Sequence, residues 1–429
     1  MIRNSRAGSS AVFLCVILSA LVSICFAFIY STIQYSTAGR TDALMRLTGI
    51  SLLSGFDREL LEEYGLFLMP GKDHDLSVDL DHYLTYTFGQ ERQTSIGSTG
   101  VSCGSFMAID YAPVREQILS FVRSGGAWPH PSAAKDGRDD PAAGKPLLSD
   151  TDAGRALRHG PTIASLPSRQ LPSQDFLSRI ETFAGSLTDV TEVFRDDSEK
   201  YLLSTYVLNT FNCTTGSPAP DHFFLREVEY ILNGELTDGR NRKKTASDLR
   251  VLRLPFNFAH VYADEGKRDA LAAAAEALTP GPAAPLTQAA LATAWAYAES
   301  INDAELLLEG CRVPLNKDAS SWAIDLDNVI RGFEPDGEST PAAGDVPGRV
   351  IHPEENKGLT YDQYLRVLLF LEDSDLMTAR ILDLIQINMR KNVNSSFLIG
   401  DYCSGIRMDA AVNGRRYSYE TLYQRILYD

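Results

Sequence analysis

Apolar and polar residues follow one another along this chain in several rhythms, and the first contains almost no polar beats. From Ala11 to Tyr30 the sequence reads AVFLCVILSALVSICFAFIY, interrupted only by Ser19 and Ser23, with no charge between Ala7 and Gly39. A helix rises about 1.5 Å per residue, so about 20 residues cover a hydrocarbon layer roughly 30 Å thick while satisfying their own backbone polar groups. The pattern predicts a transmembrane helix over 11–30, preceded by a short cytoplasmic N-terminus, residues 1–10. The run is longer than the core of a cleaved signal peptide, and Cys25-Phe26-Ala27 matches a small-x-small cleavage site poorly. Ile24, before Cys25, does not fit a lipoprotein site either. The segment therefore reads as a retained anchor.

After the span the rhythm becomes helical. Residues 31–68 carry Leu44, Leu47, Ile50, Leu53, Leu60, Leu61 and Leu66, which predicts a membrane-proximal helical stalk. Gly55 is placed to break it and Asp57 to cap a second helix. Segment 69–123 is mixed: residues 78–88 suit helix or strand, 105–113 read as a strand, and 114–124 as a short helix. In 124–173 Gly, Pro, Ala, Ser and charge dominate, which predicts a flexible insertion.

The remainder, 174–429, reads as a mainly helical domain. Phe176, Ile180, Phe183, Leu187, Val190 and Phe194 recur at spacings of 4 and 3. That suits either a coiled-coil seam with a partner or an amphipathic core helix. Further helices are expected over 223–234, 247–263 with a kink or break at Pro255, 266–279, 286–310, and 361–391 as one long or two shorter helices. A polar loop spans 332–358. Asn413-Gly414 between two short apolar or aromatic runs predicts a C-terminal β hairpin. The fold class is mainly α with a small β part (α+β).

Charge sets the topology. The 429 residues carry a net charge of -16, yet residues 1–40 hold Arg3, Arg6 and Arg40 and no acid, so the rest carries -19. An acidic body repels phosphates, which argues against nucleic-acid binding. Arg3 and Arg6 precede the span, whereas the other flank mixes Arg40 and Arg46 with Asp42 before Asp57, Glu59, Glu62 and Glu63, so the N-terminus is expected inside and the large domain outside.

Candidate chemistry is sparse. Cys15 and Cys25 lie in the span; Cys103, Cys213, Cys311 and Cys403 are spaced too widely for a local zinc motif, and two disulfides or free buried thiols are both open. The seven histidines form no H-E-x-x-H pair, and there is no G-x-S-x-G elbow, Walker loop or G-x-G-x-x-G strand–helix turn. His74 and His82 among Asp73, Asp75, Asp79 and Asp81 are the densest ligand-type stretch, but lack the turn glycine and terminal Glu of a calcium loop. Arg240 to Lys244 could touch anionic lipid or wall polymer, or be a charged loop. The sequons at Asn212 and Asn394 matter only in a glycosylating host. No catalytic, cofactor-binding or metal residue is assigned, and no enzyme activity, cofactor or small-molecule substrate is expected.

Several stretches together resemble a known family: GSSAVFLCVILSALVSICFAFIY (8–30), ISLLSGFDRELLEEYGLF (50–67), EVEYILNG (227–234), LRVLRLPFNFAHVYAD (249–264), AWAYAES with VPLNK (294–317), and residues 358–390. The chain looks like an uncharacterised bacterial family of single-anchor proteins, similar at its N-terminus to the TadE/TadG-like, minor pilin-like proteins of tight-adherence pili. The resemblance implies an anchoring helix, an outward-facing body, and pilus or secretion-system partners besides the bilayer. A prepilin site pairs a Gly with a Glu five residues on; here Gly8 is followed by Phe13. The alternative is a membrane-tethered ectoenzyme or ligand-binding domain at the cell envelope.

Overall fold

The computed structural model describes residues 7–89, 94–125, 154–171, 198–216, 218–331, 350–354 and 356–423. The periodic run 176–194 lies outside them. The helices are α1 (Ala7–Leu53), α2 (Arg58–Tyr64), α3 (Asp73–Phe88), α4 (Ala112–Arg123), α5 (Ser198–Thr210), α6 (Glu227–Asn233), α7 (Asp238–Ala263), α8 (Glu265–Leu278), α9 (Ala284–Leu308), α10 (Tyr361–Leu371) and α11 (Ser374–Asn392), with shorter helical turns between. The strands are β1 (Met69–Pro70), β2 (Ile96–Ser102), β3 (Tyr402–Cys403), β4 (Gly405–Val412) and β5 (Arg415–Leu422). The protein is mainly helical with a small β part, as its hydrophobic pattern predicts.

Two compact units share the chain. The first comprises Met1–Arg58, Phe67–Asp110 and Asp401–Asp429; the second comprises Glu59–Leu66 and Tyr111–Gly400. The hairpin expected to end the 174–429 domain therefore groups with the anchor helix instead.

In the first unit α1 continues unbroken from the apolar run to Leu53, and the chain turns at Ser54-Gly55. Its C-terminal part is not a free stalk. Thr41, Met45, Thr48, Leu52 and Leu53 are buried, while Leu47 and Ile50 face outward. The buried face uses the small residues because they let β4 and β5 approach. A Cβ on Gly49 would sit 2.5 Å from Thr421 Oγ1 and 2.7 Å from the Met408 methyl. Asp57 accepts a hydrogen bond from Tyr402 (3.1 Å).

Residues 78–88 resolve to helix. Leu76, Leu80, Leu84 and Phe88 recur every four residues and are buried with Met45, Leu52, Ile406 and Met408. Each fully buried Leu or Ile contributes about 2 kcal/mol to such a core. The strand expected over 105–113 is absent: Gly104–Phe106 and Ala108–Asp110 form 3-10 turns, followed by α4. The strand is instead β2, upstream, paired antiparallel to β4, which pairs antiparallel to β5. On β4, Ile406, Met408, Ala410 and Val412 point inward, and Arg407 and Asp409 outward. Asn413 and Gly414 both take positive φ (51° and 74°), as a type I′ turn requires. Asn413 also clamps the start of β2 by accepting from Ser95 N (2.8 Å).

In the second unit α7 packs along α9, and α8 along α9, around Val261, Leu271, Ala292, Trp295 and Ala296. Of the kink or break expected at Pro255, no break occurs, since α7 runs through it. The 361–391 region is two helices. Asp373 ends the first and caps the second, accepting from Asp375 N and Leu376 N (both 3.0 Å). Leu376 to Met389 of α11 are almost wholly buried, polar residues included. Residues 154–171, expected within a flexible insertion, are packed: Leu157 N donates to Leu236 O (2.9 Å), and Ser168 N to Asp383 Oδ1 (3.0 Å).

Candidate functional site

The first candidate is the exposed half of α1. From Val12 to Tyr30 every side chain is exposed, including Phe13, Phe26, Phe28 and Ile29, and none is covered by the rest of the molecule. The hydroxyls in this stretch bond back to their own helix. Ser19 donates to Val16 O (2.9 Å), Ser23 to Ser19 O (2.7 Å) and Thr32 to Phe28 O (2.8 Å). A helix whose Ser19, Ser23 and Thr32 hydroxyls bond its own carbonyls and whose exposed side chains are otherwise nearly all apolar is compatible with a lipid environment. Tyr30 and Tyr35, both exposed, follow the run where an interfacial aromatic belt falls. Length and composition make this helix a candidate membrane span, Val12–Leu53.

The second candidate is a buried charge network in the helical unit. Arg253 and Asn257 stand one turn apart on α7, and Glu299, Ser300 and Asp303 on the facing side of α9; all are 0% exposed. The Arg253 guanidinium donates to Asp303 Oδ2 (2.9 Å), Leu315 O (2.7 Å), Asn257 Oδ1 (2.9 Å) and the Tyr364 hydroxyl (3.2 Å). Lys317 reaches in from the loop after α9 to pair with Glu299 and, at 2.6 Å, with Asp303 Oδ1. Glu299 also accepts from Ala323 N (3.1 Å) and Ile324 N (2.8 Å). Burial pushes the Asp303 carboxyl up, but Arg253 and Lys317 outweigh it and hold it below the usual range. Two cations and two anions compensate each other, so the network locks the 313–324 loop onto α7 and α9.

A further set of buried acids does the same work elsewhere in that unit. Glu227 pairs with His222 and accepts from Asn212 N (3.1 Å) and Asn388 Nδ2 (2.9 Å). Glu229 Oε1 accepts from Thr214 N (2.9 Å), Thr214 Oγ1 (2.6 Å) and Tyr361 (2.8 Å). Burial raises the Glu229 carboxyl, and its Oε2 has no hydrogen-bond partner among the described residues. Asp238, the first residue of α7, accepts from Arg155 N (2.7 Å) and Arg226 N (3.0 Å). Burial likewise pushes Asp383 up to about 6; it holds Ser168 N and the Tyr230 hydroxyl (2.9 Å).

The residues singled out from sequence disperse. His74, Asp75, Asp79 and His82 are exposed along α3; Asp73 accepts from Cys103 N (2.9 Å), and Asp81 from Thr99 (3.1 Å). Arg240 to Lys244 are not a loop but the first turns of α7. Lys244 pairs with Glu235 at 2.6 Å, and Asn241 is buried against the Glu235 backbone. All six cysteines are free, with Cys103, Cys213 and Cys403 buried. Asn212 is buried and donates to Phe224 O, so its sequon is closed to modification; Asn394 is exposed. Sequence reasoning missed one mixed donor set, Glu309, Cys311 and His352, whose donor atoms lie within 4.8 Å of one another. No local spacing betrays it, since Cys311 and His352 are 41 residues apart.

No curated protein and no solved structure matches this chain. One family model matches residues 160–414, more than half of the sequence and including the buried acids of the helical unit named above, but not α1. The chain belongs to that family, described as a family of unknown function (DUF5702).

Proposed function

We propose that this chain is a single-pass membrane protein with a cytoplasmic N-terminus and an extracytoplasmic body, acting as a non-enzymatic structural or assembly component of a pilus-like or secretion apparatus. The observation that carries the reading is the division of α1: its first half is bare, apolar and uncharged, and its second half is built into a folded unit. A helix continuous across that division transmits the position of the anchor to the body without a flexible joint. Arg3 and Arg6 before the span, against the acids that follow it, favour retention of the short end inside. Leu18, Leu21, Val22, Cys25, Phe26 and Ile29 line a shallow recess along the exposed half, a surface suited to lateral packing with another apolar helix. The resemblance of residues 8–30 and 50–67 to pilin-like anchors supports the assembly role.

The test is fractionation and labelling of cells expressing the full chain. The protein should resist alkaline extraction from membranes and lose its body to protease added outside intact cells. It should also be recovered from mild detergent with subunits of an envelope machine. Extraction into the soluble fraction overturns the anchor. Protection of the body from protease overturns the orientation. Recovery with no envelope subunit overturns the assembly role.

A further inference from the structure

The helical unit carries three unlike ligand groups held together by two separate clamps. Helix α9 ends in a Schellman arrangement. Gly310, with φ of 84°, donates to Leu307 O (3.0 Å), and Cys311 N donates to Leu306 O (2.9 Å). The left-handed residue reverses the chain, bringing Glu309 and Cys311 to the same end of the helix. Beyond Cys311, Arg312 N donates to Asn356 Oδ1 (2.7 Å), and Val313 and Leu359 exchange backbone bonds of 3.0 and 2.9 Å, so the segment is fixed on both sides. His352 comes from a distant stretch, yet it is positioned by the same helix. Buried Asn302 of α9 accepts from Ile351 N (2.8 Å) and donates to Ile351 O (2.7 Å), gripping the residue before it.

The His352 ring lies between the other two groups. Its Nδ1 is 3.9 Å from Cys311 Sγ and its Nε2 is 3.5 Å from Glu309 Oε2. A tetrahedral zinc ion, with Zn–S about 2.3 Å and Zn–N about 2.0 Å, sets its ligand atoms roughly 3.5 Å apart. One ion takes only one of the two ring nitrogens; with one donor atom from each residue the three lie within 4.8 Å of one another, and rotations of Glu309 and His352, 44% and 61% exposed, bring them to that spacing. Solvent access leaves a fourth position for water. We propose that Glu309, Cys311 and His352 form a binding site for a borderline divalent transition-metal ion of the zinc class. A thiol and an imidazole select such an ion over calcium or magnesium, which prefer oxygen alone. Binding converts the Cys311 thiol to a metal-bound thiolate and releases its proton to solvent, with no change in oxidation state. Because the bound form is the thiolate, protons compete with the metal for the sulfur and affinity falls as pH is lowered.

The experiment uses the full chain in detergent, stripped of metal by a chelator and titrated with Co²⁺, then with Zn²⁺. The expected result is a sulfur-to-cobalt charge-transfer band with intense visible bands of a four-coordinate site, both lost on adding Zn²⁺. Cys311→Ser should abolish the charge-transfer band. His352→Gln and Glu309→Gln should weaken Zn²⁺ binding by at least about tenfold with the fold intact by circular dichroism, as loss of ligand-sphere groups does elsewhere. A cobalt spectrum with only weak bands of oxygen coordination overturns the site. So does a charge-transfer band that survives Cys311→Ser, or a Zn²⁺ affinity unchanged in His352→Gln.

Discussion

Two regions of this molecule reverse the usual rule of apolar inside and charge outside. Between Val12 and Tyr30 nineteen successive residues stand exposed, nearly all apolar. In the helical unit Arg253, Asp303, Glu299 and Lys317 lie at the centre of the packing. The first reversal is stable only if the surrounding solvent is itself apolar. The second is stable only if every charge meets a compensating one, because an isolated ion in a low-dielectric interior is costly. In the anchor any apolar residue serves, whereas in the network each group depends on its partners.

The largest effect is expected where that dependence is broken. Asp303→Asn leaves Arg253 and Lys317 sharing one carboxylate inside the protein. It should destabilise the helical unit by about 3–5 kcal/mol, read as a fall in the urea midpoint. An unchanged midpoint would mean that the network is not dry. The mirror experiment puts a charge into the anchor. Ile24→Asp should cost roughly 2.5–3.5 kcal/mol of insertion and shift protein from the membrane pellet to the alkaline-soluble fraction, while the urea midpoint of the body stays put.

Acidity sharpens the same contrast. The Asp383 carboxyl, usually near 3.8, is pushed up to about 6 in the fold, so the folded state holds a proton that the unfolded chain has released. Its contribution is present below pH 4 and is lost as pH rises to about 6, worth up to roughly 3 kcal/mol. Asp383→Asn, which can still accept from Ser168 N, should flatten the stability profile between pH 4 and 6; an unaltered slope would remove Asp383 from the account. The smallest effect belongs to a helix end. Thr360 and Gln363 form a capping box at the start of α10, and Thr360→Ala should cost about 1 kcal/mol by the same urea assay.

Legibility from sequence followed the range of the interactions. The span, the Gly55 break, the Gly234 helix end and the Asn413-Gly414 turn are set by residues within a few positions, and all were readable. Strand β2 was not: IGSTGVS offers no apolar alternation and becomes a strand only because β4 supplies its partner. Leu47 and Ile50 looked like the packing face of α1, but contact with the sheet selects Met45, Thr48 and Gly49. The i,i+4 pairs Arg253/Asn257 and Glu299/Asp303 did not stand out, because each sits on a helix that carries other charges. Their partners, Lys317 and Tyr364, were not readable, because only the tertiary fold brings them near.

The pairing of β2 with β4 joins residues 96–102 to residues 407–412, with most of the helical unit, Tyr111–Gly400, encoded in between. During synthesis α1 and α3 are made well before β4 and β5, the strands that complete the cover of the Met45–Leu52 face. Until the ribosome reaches the β4–β5 hairpin, that face has only α3 and β2 to pack against. A chain stopped short of Gly405 therefore leaves open the side of that core which Ile406, Met408 and Ala410 seal.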